Sequence, residues 1–115
     1  MPAINFKKQF TDQILCGEKR QTIRPVRENP IKLGDKLFLY TGMRTKQCRK
    51  LKEVICRDVW PITINVGRIV FDDQDMGMLG MADIVRRDGF QKVKDFFEFF
   101  ERQYGLPFSG VVIRW

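Results

Sequence analysis

Segment 91–104 carries the strongest helical pattern in the chain, and this pattern limits the possible folds more than any other feature. Its apolar side chains recur at helical spacing and form one broad face: Val93, Phe96, Phe97, Phe100 and Tyr104. Gly105 is suited to end that helix. The aromatic stripe predicts a helix packed into a core and does not indicate a cofactor site.

Shorter patterns predict two further helices and several short strands. Phe6, Phe10 and Ile14 recur every four residues and predict a helix that ends at Gly17; a second helix is predicted from 78 to 87, ending near Gly89. Residues 42–50 predict a basic loop, and Trp60-Pro61 predicts a break between strands. The predicted strands are residues 4–6, 21–24, 36–40, 51–59, 62–71 and 110–115.

The order of these elements, β-α-β-β-β-β-α-α-β, lacks a repeating βαβ unit. It predicts an α+β fold, namely a small, mainly antiparallel β-barrel with two or three covering helices. The chain has 115 residues without a linker or an internal repeat, so we expect residues 1–115 to form a single domain.

The residues that are missing exclude several kinds of chemistry. The chain has no histidine, which rules out Ser-His and Cys-His catalysis. Cys16, Cys48 and Cys56 lack the spacing of a zinc site, so we expect free thiols, no metal and no cofactor. No apolar run approaches the roughly 20 residues that cross a bilayer, and the first residues do not form a secretion signal. We therefore expect a cytoplasmic protein without a membrane partner, and a monomer.

The positive charge is concentrated in one half of the chain. Residues 1–57 contain 14 Lys and Arg against 5 Asp and Glu, whereas residues 58–115 contain 7 against 9. Such an imbalance attracts polyanions, and nucleic acid is the commonest of them. The alternative is that basic residues simply keep a small protein soluble.

The stretch GEKRQTIR, from Gly17 to Arg24, holds the most concentrated polar chemistry. In an extended chain Thr22 and Arg24 share a face, and Lys19 joins them only if it still lies in a turn. A hydroxyl between two cations can hold a phosphate or a carbonyl oxygen, or it can act as a nucleophile if the lysine is deprotonated. The spacing alone favours a solvated strand edge over a polar site.

This stretch, followed by PIKLGDKLFLYTG, resembles the GxKxxTxR motif and the next strand of ASCH domains, which belong to the PUA-like superfamily. ADIVRRDGF, KDFFEFFERQYG and GVVIRW are similar to the later segments of that family, so the resemblance spans most of the chain. It implies a PUA-like β-barrel with a cleft beside the motif, where Gly17 and Arg24 belong to the binding surface. It also implies RNA or a modified nucleoside as the ligand.

One branch of the family consists of bacterial acetylcytidine amidohydrolases, which remove an acetyl group from the exocyclic nitrogen of cytidine. The resemblance implies that Lys19 would be the base, Thr22 the nucleophile and Asp88 the proton donor. Asp88 stands where that branch has a glutamate, so its carboxylate is one methylene closer to the backbone. The chain is therefore expected to be an RNA- or nucleoside-binding module or, alternatively, an amidohydrolase.

The predicted basic loop is a second candidate for binding. It and its flank carry five cations within nine residues: Arg44, Lys46, Arg49, Lys50 and Lys52. These cations can follow a phosphate backbone, which makes binding weaker in salt, or they can form a solvated charge run. Tyr40, Trp60 and Phe90 are candidates for stacking on a base, although each is also suited to a core.

Overall fold

The computed structural model describes residues 2–115. It contains eight strands, a 3-10 turn and three α-helices, which are β1 (Ala3–Phe6), the 3-10 turn (Lys8–Phe10), α1 (Thr11–Leu15), β2 (Gln21–Arg24), β3 (Lys36–Thr41), β4 (Arg49–Ile55), β5 (Asp58–Asn65), β6 (Arg68–Phe71), β7 (Gln74–Asp75), α2 (Met78–Arg87), α3 (Val93–Tyr104) and β8 (Phe108–Arg114). Turns at glycines end the first two helices: Gly17 has φ of 82° and Gly89 has φ of 97°, a backbone conformation that favours glycine.

The strands form two sheets. The first has the order β1-β3-β4, with β1 parallel to β3 and β3 antiparallel to β4. The second has the order β2-β8-β5-β6-β7 and is antiparallel throughout. The prediction of an α+β fold with mainly antiparallel strands and two or three helices is therefore confirmed, and residues 2–115 form three α-helices.

The sheets of residues 2–115 do not close into one barrel. The free edge of β1 faces the segment that begins with β2, but guanidinium groups rather than backbone amides span the gap. Arg24 donates to the carbonyl of Asn5 at 2.6 Å, and Arg27 donates to the carbonyl of Ala3 at 2.7 Å. Backbone acceptors on this strand edge are thus satisfied by side chains, because a charged donor can replace a ladder hydrogen bond.

The core lies between the sheets and α3. Phe96 and Phe100 are fully buried, as the aromatic stripe predicts, and they contact each other with ring centroids 4.8 Å apart. Phe90 joins the same aromatic cluster through Phe96 and Phe10. Tyr104 is partly exposed, so the last turn of the stripe does not belong to the core.

Several predicted strand boundaries between residues 51 and 71 are wrong, and the predicted strand 51–59 is divided between β4 and β5. The predicted break at Trp60-Pro61 lies inside β5, and the predicted strand 62–71 is divided by a turn at Val66 and Gly67. In an extended strand, the nitrogen and the carbonyl of one residue face the same side. The carbonyl of Pro61 accepts a hydrogen bond from the N–H of Asp72, at the point where the β5–β6 ladder ends. The missing N–H of Pro61 is thus directed at the end of the ladder, where proline is tolerated.

Candidate functional site

Lys19 lies between α1 and β2, just after the turn at Cys16 and Gly17. Its backbone N–H donates to the carbonyl of Gln13 at 2.9 Å, which fixes the chain against the end of α1. Its side chain is only 2% exposed, and Nζ lies 4.6 Å from the centre of the Phe10 ring. A lysine is rarely buried to this degree without a partner.

Asp88 supplies that partner from 69 positions further along the chain. It follows the last residue of α2, and its backbone N–H donates to the carbonyl of Ile84. The Nζ of Lys19 lies 3.5 Å from Asp88 Oδ1 and donates a hydrogen bond to the backbone carbonyl of Asp88. At Gly89, an added Cβ would come within 2.4 Å of Gln13 Oε1, the movable end of a side chain, so the positive φ rather than this contact favours glycine there.

Burial acts against the charge on both members of this pair. It lowers the pKa of Lys19, and the nearby Asp88 carboxylate offsets part of that effect. It raises the pKa of Asp88, and the nearby Lys19 offsets part of that effect. A lysine with a lowered pKa is a better base near neutral pH, and an aspartate with a raised pKa is a better proton donor.

Thr22 and Arg24 share one face of β2, as strand alternation predicts. Arg24 Nε donates to Thr22 Oγ1 at 2.9 Å, and the Arg24 guanidinium lies 4.9 Å from the centre of the Phe6 ring. Because the hydroxyl oxygen accepts from Arg24, its own proton is left for an acceptor. The Thr22 side chain is buried, and its hydrogen bond with the guanidinium holds it in a fixed position.

These four side chains line one small pocket of about 120 Å³. The structure therefore brings Lys19, Thr22, Arg24 and Asp88 together, as the sequence hypothesis requires. The pocket is smaller than the roughly 300–1,000 Å³ typical of pockets for drug-sized ligands, so it suits a single ring or acyl group rather than a whole nucleotide. The other lining residues are Asn5, Phe6, Lys7, Phe10, Ile23, Phe99, Phe100, Gln103 and Tyr104.

A larger, open groove of about 930 Å³ runs beside α2. Its charged residues neutralise one another at the surface, since Asp83 pairs with Arg86 at 3.0 Å and with Arg87 at 2.9 Å. Exposed ion pairs of this kind are common and contribute little. We place the candidate site in the small pocket because its ionisable groups are buried, which is typical of functional sites.

Sequence reasoning missed several polar residues of the site. Gln21 is 1% exposed and donates from Nε2 to Asp88 Oδ1 at 3.3 Å, although alternation places it on the opposite face from Thr22. Tyr104 and Gln103 reach the pocket from the last turn of α3. The helical stripe predicted a core position for Tyr104, and only the position of the helix end beside β2 shows otherwise.

Five residues predicted to bind ligand do not line this pocket: Gly17, Arg44, Lys46, Arg49 and Lys50. The predicted loop 42–50 is also too long, because β4 begins at Arg49. Lys50 lies on the outer side of the sheet, 3.3 Å from Glu53 and over the ring of Phe38. The loop itself reaches the pocket rim at one point, where the Met43 N–H donates to Asn5 Oδ1 at 3.0 Å.

The three aromatic residues predicted to stack on a base lie elsewhere. Phe90 is buried among phenylalanines, and Trp60 packs on Phe71. Tyr40 lies in β3, where it pairs with Lys50. The aromatic walls of the pocket are supplied instead by the Phe6 and Phe10 region and by α3.

The remaining sequence expectations concern metals, cysteines and membranes. Within residues 2–115 there is no group of three or more His, Cys, Asp or Glu side chains that could hold a metal ion. Cys16 and Cys48 are exposed free thiols, and Cys56 is a buried one. None of the helices in this part of the chain is long and apolar enough to span a membrane.

Comparisons with known proteins leave the family open. No family model matches the chain, and searches of curated proteins and of solved structures found no match either.

Proposed function

We propose that this protein is an ASCH-type domain of the PUA-like superfamily that binds RNA or a modified nucleoside in the small pocket. One observation carries the proposal: Lys19, Thr22, Arg24 and Asp88, four residues of the motifs that carry the resemblance, line a single pocket. Two of them form a buried ion pair. A buried pair is no better for stability than well-packed apolar residues of the same size, so its presence is better explained by binding or catalysis.

The polar groups of the pocket suit one nucleobase, with the attached sugar and phosphate lying outside the pocket. The pocket offers a donor in Lys19, an acceptor in Asp88 and a hydroxyl in Thr22, which together suit the polar edge of a base. Lys7 and Arg24 add positive charge to the lining, which favours an anionic backbone nearby. Tyr104, partly exposed on α3, is available to stack on a ring.

The PUA-like architecture is part of the same proposal. We infer an open form of that barrel, in which the Arg24 and Arg27 guanidinium groups bridge the gap between β1 and the β2 segment. The antiparallel pairing of β2 with the closing strand β8, Thr22 opposite Ile113, supports this arrangement because it places the motif next to the end of the chain.

The test compares two threonine variants. Thr22→Val removes the pocket hydroxyl while keeping the side-chain shape, and Thr63→Val removes a hydroxyl that contacts Ser109 in the second sheet. We expect the wild type to bind a short single-stranded RNA or cytidine, and Thr22→Val to bind about tenfold more weakly, since one hydrogen bond with an unpaired partner is worth about 1–2 kcal/mol. Thr63→Val is expected to bind as the wild type does. Equal binding by Thr22→Val, or no binding by the wild type at low salt, would refute the proposal.

A second candidate is hydrolysis of an acetylated cytidine or a similar small amide. It is favoured by the directions of the two pKa shifts, since burial lowers the pKa of Lys19 and raises that of Asp88. Thr22 Oγ1 would attack the acetyl carbonyl and pass its proton to Lys19. Asp88 would protonate the leaving amine, and water would then release acetate from the threonine ester.

The hydrogen bonds of the pocket set a condition on this reaction. Lys19 donates to Asp88, Thr22 accepts from Arg24, and no hydrogen bond joins Lys19 to Thr22 among residues 2–115. Lys19 must therefore lose a proton and come within hydrogen-bond reach of Thr22 before it can accept the hydroxyl proton. Incubation with acetylcytidine, followed by chromatography for cytidine, tests the reaction. Turnover by the wild type and by Thr63→Val but not by Thr22→Val would support it. The absence of turnover, or turnover by Thr22→Val, would exclude it.

A further inference from the structure

Gln21 is buried behind the pocket rather than in it. It lies on β2 between Lys19 and Thr22 in sequence, yet its side chain is on the other face of the strand and is not part of the pocket lining. It is 1% exposed, which is unusual for an uncharged amide that must satisfy its hydrogen bonds within the protein.

The partners of Gln21 fix the orientation of its amide. Arg114 Nε, on β8, donates to Gln21 Oε1 at 3.0 Å. A guanidinium can only donate, so the oxygen of the amide must face Arg114. The NH2 group then faces the other way and donates to the carbonyl of Ile84 at 3.2 Å and to Asp88 Oδ1 at 3.3 Å.

Gln21 and Lys19 thus hold the same oxygen of Asp88. Lys19 Nζ lies 3.5 Å from Oδ1, and Gln21 Nε2 lies 3.3 Å from it. Among residues 2–115, no hydrogen bond to Asp88 Oδ2 is present, and the aspartate lines the pocket. Both donors therefore lie on one side of the carboxylate and leave the second oxygen for whatever enters the pocket.

We propose that Gln21, locked by Arg114, is a positioning residue that anchors Asp88 through Oδ1 and keeps Oδ2 available to the pocket ligand. This proposal rests on the proposed function only for the identity of that ligand. The hydrogen bond from Gln21 also favours the ionised carboxylate, so Gln21 works against the effect of burial on Asp88.

Charged side chains near Asp88 also affect the pH at which its carboxyl titrates. Lys19 contacts it directly, and Arg24 acts on it from β2. Arg114 lies behind Gln21. Burial lowers the pKa of Arg114, and Arg87, Asp83 and Asp58 have smaller effects on it. Gln21 is an uncharged partner of this carboxyl, and its replacement by methionine leaves the net charge unchanged.

The test follows the Asp88 carboxyl by carbon-13 NMR during a pH titration, without any ligand. Gln21→Met removes the amide and keeps the length of the side chain. Gln21→Glu keeps the oxygen that accepts from Arg114 but places a second acceptor against Asp88. We expect the titration midpoint of Asp88 to move to higher pH in both variants, and further in Gln21→Glu because two carboxyl groups then share one site.

The matched control is Gln13→Met. Gln13 is a half-buried glutamine in α1, and its amide donates to the carbonyl of Gly89 rather than to the Asp88 carboxylate. Its replacement should leave the midpoint unchanged. An unchanged midpoint in Gln21→Met overturns the proposal, and if that variant does not fold, an unchanged midpoint in Gln21→Glu does so. Since no ligand is present, failure to bind RNA would count against the proposed function and not against this result.

Discussion

The buried motif around Lys19 and the exposed basic region from Arg44 to Lys50 have similar compositions but different structures. In the first, the two cations of the pocket have fixed partners: Lys19 contacts Asp88, and Arg24 contacts Thr22 and Asn5. In the second, the side chains are exposed, and Lys50 pairs with an exposed Glu53. The comparison shows that basic side chains gain a specific role only where the fold buries them and provides opposite charges or hydrogen bonds.

The largest expected difference between the two regions is in stability. Lys19→Met leaves Asp88 buried without its ammonium partner, so we expect a loss of about 3 kcal/mol in the free energy of unfolding, as is typical of a broken buried pair. Lys46→Met, on an exposed turn, should leave the free energy of unfolding nearly unchanged. Urea unfolding of both variants measures the contrast, and equal stabilities would show that the Lys19 pair is not held as described.

A smaller effect is expected when both members of the pair are removed together. Lys19→Met combined with Asp88→Leu eliminates both buried charges, so its loss should be smaller than the sum of the two single losses by about 1–3 kcal/mol. The comparison cycle uses the exposed pair Lys36 and Glu53, 3.4 Å apart, for which we expect no measurable coupling. Additive losses at Lys19 and Asp88 would contradict direct pairing.

The pH dependence of stability should also distinguish the buried site. Burial raises the pKa of Asp88, so between about pH 4, where a free aspartate titrates, and the higher pKa of Asp88, the folded chain retains a proton that the unfolded chain has lost. The contribution of Asp88 therefore falls as pH rises through this window. Lys19 acts in the opposite direction at alkaline pH, where stability rises between its lowered pKa and about 10.4.

Urea unfolding of the wild type and of Asp88→Asn across the acidic window measures the first of these effects. The fall should be absent in Asp88→Asn and present in Asp95→Asn, which changes an exposed aspartate on α3. Identical pH slopes in the wild type and in Asp88→Asn would contradict the raised pKa.

The smallest expected effect concerns the basic loop. If Arg44 and Lys46 contact phosphates, replacing either one by glutamine should reduce the salt dependence of RNA binding by about 0.7 in the log–log slope. Stability should be unaffected, because both side chains are exposed. Binding isotherms at several salt concentrations measure the slope, and an unchanged slope in both variants removes the loop from the RNA interface.

Local patterns predicted only the part of the site that is local in sequence. Strand alternation placed Thr22 and Arg24 on one face, and the glycine turn allowed Lys19 to join them. Asp88 was proposed only from the resemblance, because nothing in the spacing links it to a residue 69 positions earlier. Gln21 was missed because its partner Arg114 lies 93 positions away on β8, and register between distant strands cannot be derived from one sequence.

The elements themselves were predicted better than their ends. The helices at 78–87 and near 91–104 and the strand at 21–24 are confirmed, since periodicity and capping signals are local. The turn at Val66 and Gly67 was missed because the flanking apolar residues form one continuous alternating run. The incomplete closure of the sheets among residues 2–115 was not predictable from local patterns, because it depends on how the edges of β1 and the β2 segment meet, where the Arg24 and Arg27 side chains take the place of a backbone ladder.

Ligand-induced NMR shifts would locate the binding surface most directly. The labelled protein is titrated with cytidine and with a short single-stranded RNA, and backbone and carboxyl resonances are followed. We expect the largest shifts at Thr22, Asp88 and Tyr104, which line the pocket. Saturating shifts confined to residues 42–50, with the three pocket residues unchanged, would show that nucleic acid binds through the exposed basic region and that the pocket is not the site.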